Sequence, residues 1–344
     1  MKPPCHPFAA RIVVRADAHD AGIEGRMTDP TRPCLLAIGG AHVDYRGTVA
    51  GATRPGASNP GTWRAEAGGG VLNAASSLAR LGHSVRLVAP RGGDPAGEIV
   101  AEAAAAAGIL DTPLTFLDRA TPTYTAILGA DGDLVVGLAD MALYDRFGPK
   151  QIMRRDLRDA IAAAPAVVTD ANLPGETLKA LAAACAGADV PLFAIAISPA
   201  KVVRLRPVLG SLSGLFMNAA EARTLGDTGQ TAPGALARIL SEKGLARGVI
   251  TFGSEGACAF DGGGCWHVPP APLDRVADVT GAGDALAAGF VHATLAGSST
   301  AEALRFGTAA AAFAVSSHAA APTTIDRMAL EGADDAVPPA ERLF

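Results

Sequence analysis

The chain has 344 residues, 49% of them hydrophobic and 18% charged, and a formal net charge of −5. This is enough for one large α/β domain or two ordinary ones, and too apolar for a disordered chain. Charges of both signs are interspersed without a basic stripe, so a nucleic acid polymer is not an expected partner; no apolar run is long enough to span a membrane, so none is expected there either.

Five cysteines occur, none in a C-x-x-C pair, so neither a disulfide framework nor a zinc site is expected. The longest apolar stretch near the start, Phe8 to Val14, is interrupted by Arg11, unlike a secretory signal. A reducing, cytoplasmic setting is the simplest expectation.

Residues 1–33, rich in Pro, Asp and Arg, read as a poorly ordered N-terminal extension. Order should begin at Leu35 to Ile38, a buried strand closed by Gly39-Gly40. A Gly/Pro-rich stretch follows from Gly47 to Gly61. Leu72 to Leu81 has helical spacing and stops at Gly82; Val85 to Ala89 reads as a strand and Ile99 to Ala107 as a helix. Thr123 to Leu128 and Leu134 to Leu138 flank Ala130-Asp131-Gly132-Asp133, a hairpin signature. The alternation then resumes: strands at Ala166–Thr169, Leu192–Ile197 and Gly248–Phe252, helices at Glu176–Ala184, Ala219–Leu225 and Ala235–Lys243.

Strands alternating with helices predict an α/β fold, a three-layer core around a mostly parallel sheet, with ligands beyond the carboxyl ends of the strands. The hairpin and the Gly/Pro stretch break that rhythm and read as a small β-sheet lid, from about 41–66 and 120–146. The main domain is expected over 34–330 and a C-terminal tail over 331–344.

Four segments carry candidate chemistry. Asp278-Val-Thr-Gly-Ala-Gly-Asp284 precedes an apolar helix running to about Leu295. Glycines just before a helix let backbone N–H groups converge, and the helix dipole adds positive potential, a suitable hole for a transferring phosphoryl group. Asp284 could then accept a hydroxyl proton; the same pattern also suits a plain turn with Asp284 as N-cap. Gly248 to Ala257 reads as a strand, a Gly-x-x-Gly turn and a second strand, in which Thr251 and the turn amides could hold nucleotide phosphates, or simply form a tight turn. Asn218-Ala-Ala-Glu221 is either a capping box or a device for placing magnesium. Gly68-Gly-Gly-Val-Leu-Asn73 allows close approach of a ligand to backbone, and Asp44 could bind vicinal hydroxyls or be a surface turn residue. No Walker A lysine, H-R-D, D-F-G, H-E-x-x-H or G-x-S-x-G occurs, which sets aside P-loop, protein-kinase, zincin and α/β-hydrolase chemistry.

Together and in this order, the four segments resemble the ribokinase-like (PfkB) carbohydrate kinases over residues 34 to 325. The resemblance implies an ATP-dependent phosphotransferase with an alcohol acceptor. Asp284 would be its catalytic base, and Gly281, Ala282 and Gly283 its anion hole. Thr251, Gly253 and Gly256 would bind ATP. Asn218 and Glu221 would place Mg2+ through water, and Asp44, Gly68, Gly69 and Asn73 would bind substrate. A monovalent cation such as K+ and a homodimer through the lid belong to the same expectation.

Within the family, Ala41 to Gly47, Ser58-Asn-Pro-Gly61, Ser76 to Gly82, Thr123 to Leu128, Asp140-Met141 with Tyr144, and Asp170-Ala-Asn-Leu-Pro174 resemble pseudouridine kinases. The last string puts Asn172 against the substrate. Val71 stands where those kinases usually have glycine. Ile195-Ala-Ile-Ser198 replaces Asp-Pro-Val-Ser, and Phe216-Met-Asn218 replaces Lys-Pro-Asn. The expected reaction is pseudouridine to its 5′-phosphate. The alternatives are ribose, another nucleoside, a ketohexose or a keto-deoxy sugar acid as acceptor, or a non-catalytic sugar or nucleoside sensor on the same fold.

Overall fold

The computed structural model describes residues 33–273, 275–317, 320–334 and 336–344. Apart from Pro33, the expected extension 1–33 lies outside them.

Leu35–Ile38 is buried along its whole length, which is why it reads as an uninterrupted apolar run. Its side chains alternate between two cores: Leu35 and Ala37 enter one, Leu36 and Ile38 the other. The same split holds for Phe193 and Ile195 against Leu192 and Ala194, so the sheet is covered on both faces. The sheet has ten strands in the order Glu341–Arg342, Gly264–Val268, Ala257–Asp261, Gly248–Thr251, Gly214–Asn218, Leu192–Ile195, Val167–Asp170, Leu35–Ile38, Val85–Val88, Leu110–Asp111. Pairing is parallel from Leu110–Asp111 through Gly248–Thr251 and antiparallel beyond.

Register fixes where the site can be. Asp170 lies opposite Ile195, Ile195 opposite Phe216, and Asn218 opposite Thr251, so four neighbouring parallel strands end along one rim. The central strand leaves that rim through Gly39-Gly40-Ala41 and becomes His42–Val49 of a second sheet, ordered Gly61–Gly68, His42–Val49, Thr123–Leu128, Leu134–Asp140. A mostly parallel main sheet with a smaller sheet beside it is the expected ribokinase-like architecture.

Boundaries moved where local chemistry was stronger than the apolar period. The helix expected from Ile99 starts at Pro95, because Asp94 accepts a hydrogen bond from the Gly97 amide at 3.0 Å and proline suits the first turn. The segment 331–344, expected as a tail, is not one. The Arg327–Asp334 helix crosses its start, and Glu341–Arg342 pairs with Trp266–His267 as the outermost strand. Among the described residues, no helix is long and apolar enough to cross a membrane.

Candidate active site

The rim is capped by the start of the Gly70–Arg80 and Ala282–Leu295 helices, and a cavity of about 360 Å³ lies among them. Gly69, Asn73, Asn218, Glu221, Thr251, Gly283 and Asp284 line it, together with His42, Ile195, Ile197 and Phe216. A larger cavity of about 570 Å³ shares Asn218, Thr251, Gly283 and Leu286 with the first and continues over Gly253, Gly256, Ala271, Leu273, Val276 and Val315. The first is polar where carboxylate and amide groups converge; the second is walled mainly by Ala, Leu, Val and Pro.

Gly281 is the N-cap of the Ala282–Leu295 helix, at φ 78°, and a Cβ there would stand 2.0 Å from the Ala320 carbonyl oxygen. Only glycine fits. Helix geometry gives the N–H groups of Gly283 and Asp284 no intrahelical acceptor, and a Cβ on Gly283 would meet no atom within 4 Å. Two donors without intrahelical acceptors therefore lie on residues lining the cavity, at the positive end of a 14-residue helix. Asp284 is not the N-cap that one reading of the sequence allowed: it is the third helical residue and makes no capping bond. Its carboxylate instead accepts a hydrogen bond from Asn73 Nδ2 at 2.9 Å. Burial pushes its pKa up to about 7. The Asn73 bond opposes the rise, and the nearby Asp170, Glu221 and Asp44 carboxylates add to it. Asn73 is brought into place by the tight start of its helix, where Gly69 has φ 111° and a Cβ would lie 2.5 Å from the Gly40 carbonyl.

Asn218 and Glu221 form a full capping box, Glu221 N–H to Asn218 Oδ1 at 2.9 Å and Asn218 N–H to Glu221 Oε2 at 2.7 Å. The capping reading of this pair is borne out, and both residues also line the cavity. The box fixes both side chains, while Glu221 still lines the cavity with its pKa raised by burial. Among the described residues no cluster of three or more His, Cys, Asp and Glu side chains could hold a metal. A lone rigid carboxylate beside an amide fits magnesium held chiefly by phosphate oxygens and water, its usual mode. At the Gly253 to Gly256 turn, Gly256 has φ 87° and a Cβ would come within 2.2 Å of the Val268 carbonyl oxygen, so this turn too requires glycine.

Asp44 is half-buried on the second sheet, 3.4 Å from His42 Nε2, and its carboxylate fills the space where a Gly68 Cβ would fall, at 2.2 Å. His42 was missed by sequence reasoning. Its Nδ1 meets the hydroxyl of the fully buried Tyr144 at 2.9 Å, a contact 102 residues away in sequence.

Asn172 requires a correction, for its amide does not face the cavity. It is 1% exposed, with Nδ2 donating to Asp170 at 2.8 Å and Oδ1 accepting from Lys201 at 2.6 Å. Both ends of the amide are engaged by the protein, so it braces Asp170 rather than meeting a ligand. Ile195 and Phe216 are paired neighbours on the cavity wall, so the two departures from the pseudouridine-kinase strings lie side by side as one apolar patch. Ile197, at φ 72°, is a branched residue in the left-handed region, held by a Ser198 N–H to Ala196 carbonyl bond of 2.9 Å.

Comparison with known proteins agrees with this geometry. The family model described as "pfkB family carbohydrate kinase" matches residues 34–327. The chain is 28% identical over 288 residues to the pseudouridine kinase of Escherichia coli, covering 82% of this chain and 90% of that one. A carbohydrate kinase from Agrobacterium tumefaciens superposes with a TM-score of 0.82 at 49% identity, covering 91% of this chain and 100% of the other. The ribokinase of Arabidopsis thaliana, solved with ribose and ATP, superposes at 0.79 with 25% identity, covering 88% and 98%.

Proposed function

Since the chain belongs to the pfkB family of carbohydrate kinases, phosphotransferases with an alcohol group as acceptor, we propose that it transfers the γ-phosphate of MgATP to the 5′-hydroxyl of pseudouridine. The observation that carries the reading is the Asp284 carboxylate, with a pKa near neutrality, where a cavity of mixed polarity and a largely apolar cavity meet beside helix N–H groups without intrahelical acceptors.

In this reading the apolar cavity takes the adenine, and Thr251, Gly253 and Gly256 hold the phosphates. The sugar lies between Asp44 and Asn73, with Gly68 and Gly69 letting the Asp44 carboxylate and the Gly40 backbone pack closely beneath it. Asp284 removes the proton of the 5′-hydroxyl, whose oxygen attacks the γ-phosphorus. The bond to the bridging oxygen breaks, and ADP leaves with that electron pair. Charge on the moving group falls on the Gly283 and Asp284 amides and on the helix dipole, while the Ala282 amide, expected in the anion hole, is taken by the Val279 carbonyl at 3.3 Å. Magnesium, when bound, neutralises phosphate charge; Asn218 and Glu221 would hold its water shell. The resemblance of the Ser58–Gly61, Tyr124 and Tyr144 regions to pseudouridine kinases supports the substrate. A site that pairs the polar edge of a base strongly rejects an acceptor lacking one. Assayed by ADP release with saturating MgATP, kcat/KM for pseudouridine should exceed that for ribose by about a hundredfold or more, and should also exceed that for uridine. Ribose or another free sugar equal to pseudouridine would overturn the substrate and leave the kinase standing. Ligand binding without ADP release would support a sensor.

The same family reading carries a homodimer through the second sheet. Its edge strand Leu134–Asp140 is exposed at every residue, with Leu134, Val136 and Leu138 alternating at 56%, 54% and 68% exposure. An open apolar edge is a template for pairing with another chain. Sedimentation should show a dimer that Val136→Lys converts to a monomer with unchanged melting temperature; a monomeric parent protein would overturn this.

A further inference from the structure

We propose that Arg46 is a positioning residue that transmits the placement of the small sheet to the phosphate-binding loop. The inference rests on the reading that the start of the Ala282–Leu295 helix receives the transferring group.

The loop before the Ala282–Leu295 helix has little apolar anchorage: Val276 and Val279 are 62% and 69% exposed. Hydrogen bonds must therefore fix its position. At its start, the Ala277 and Asp278 amides donate to the Val315 carbonyl at 2.8 and 3.4 Å. At its end the Arg46 guanidinium spans two groups, Nη1 to Asp278 Oδ2 at 3.0 Å and Nη2 to Thr280 Oγ1 at 2.9 Å. Asp278 Oδ1 in turn accepts the Thr280 amide at 2.8 Å, which closes a small ring immediately before Gly281.

Arg46 belongs to His42–Val49 of the second sheet, two residues beyond Asp44 and hence on the same face. One strand thus presents a carboxylate toward the acceptor site and a forked cation onto the loop that shapes the anion hole. A substrate that draws Asp44 inward sets Arg46, and Arg46 sets Asp278 and Thr280. The geometry uses both arms of the fork, which a lysine cannot reproduce. An ordinary partly exposed ion pair would contribute little to stability and nothing to turnover.

The test compares Arg46→Ala and Arg46→Lys with the parent protein in turnover, ligand affinity and loop dynamics. Turnover is measured with MgATP and pseudouridine and, separately, as slow MgATP hydrolysis without sugar. In Arg46→Ala, kcat should fall by between about ten- and a hundredfold, the range for a misplaced catalytic group. Calorimetric affinities for pseudouridine and for ATP should stay within about threefold and the melting temperature nearly constant, since an exposed pair contributes little. Arg46→Lys should recover part of kcat. Adding Thr280→Val to Arg46→Ala should lower kcat no further, because the two residues act through one contact. Amide hydrogen exchange over 276–284 should quicken in Arg46→Ala, a readout independent of which acceptor is used. If exchange quickens while pseudouridine goes unphosphorylated by the parent protein, the substrate reading has failed and the comparison of hydrolysis rates decides for Arg46. Unchanged kcat and exchange, or a loss confined to pseudouridine affinity, would overturn the proposal.

Discussion

Asp284→Asn should yield a folded protein that binds MgATP and turns over about two to four orders of magnitude more slowly, the usual span for a lost general base. The substitution keeps the shape of the side chain, and its amide oxygen can still accept the 2.9 Å bond from Asn73. What it removes is the site for the proton. The raised pKa adds two further expectations. With a carboxyl pKa of about 7, the active ionised form is lost as pH falls, so kcat/KM of the parent protein should drop about tenfold per unit below pH 7 and level off above it. Stability should run the other way. The folded pKa lies above the ordinary value of 3.8, so the fold binds the proton more tightly than the unfolded chain does, and stability declines as pH rises from about 4 through 7. Asparagine carries no such penalty. At pH 8, Asp284→Asn should therefore melt above the parent protein by the equivalent of up to a few kcal/mol, and the gap should close below pH 4. Near-normal turnover in the variant would remove Asp284 from the mechanism. A gap between variant and parent protein no larger at pH 8 than at pH 4 would remove the raised pKa.

Much of this site could be read from the chain because its parts are local. Gly281, Gly283 and Asp284 fall within four residues and announce a helix start. Asn218 with Glu221, and Gly253 with Gly256, are spaced by one turn of helix or one tight loop. Alternating apolar strands and helices gave the sheet, since a strand buried on both faces has no polar positions to blur it. What stayed hidden depends on contacts far apart in sequence. Arg46 meets Asp278 across 232 residues, and no local pattern marks an arginine in a strand as a clamp. His42 acquires meaning only from Tyr144, on a segment that reads as an irregular loop. The Thr300–Val315 helix escaped notice because its alanine-rich sequence has weak periodicity, although Ser299 and Glu302 form a capping box at its start. Asn172 was picked out by its place in the Asp170 to Pro174 string, and sequence cannot tell whether such a polar group points to solvent, ligand or another buried residue.

That misreading leads to Asp170, which the structure makes a hub. Asp170 is 0% exposed, and its carboxylate accepts four hydrogen bonds: from the Gly40 amide at 3.0 Å, the Val71 amide at 3.3 Å, the Asn172 amide at 3.0 Å and Asn172 Nδ2 at 2.8 Å. One side chain thereby ties the end of the central strand, the start of the helix that carries Asn73, and the end of its own strand. Burial raises its pKa, while the Asn172 and Gly40 bonds and the Lys201 charge pull the other way. Asp170→Ala would leave four buried donors, three backbone amides and Asn172 Nδ2, without acceptors, at about 1–3 kcal/mol each. The expected loss is about 4 kcal/mol or more, or roughly 6 °C in melting temperature for a chain of this size. Asp170→Asn should do less harm. Its oxygen can take the three bonds now made by Oδ2, leaving only the Asn172 amide facing an NH2 group, and it removes the cost of burying a charge. Thermal melts of the two variants at pH 7 give the comparison. Two equal and small shifts, under about 2 °C, would show that Gly40, Val71 and Asn172 find other acceptors and that Asp170 does not hold the three elements together. A large shift for alanine and a smaller one for asparagine should be accompanied by a loss of turnover in the alanine variant below its melting point, because Asn73 and its bond to Asp284 depend on where that helix begins.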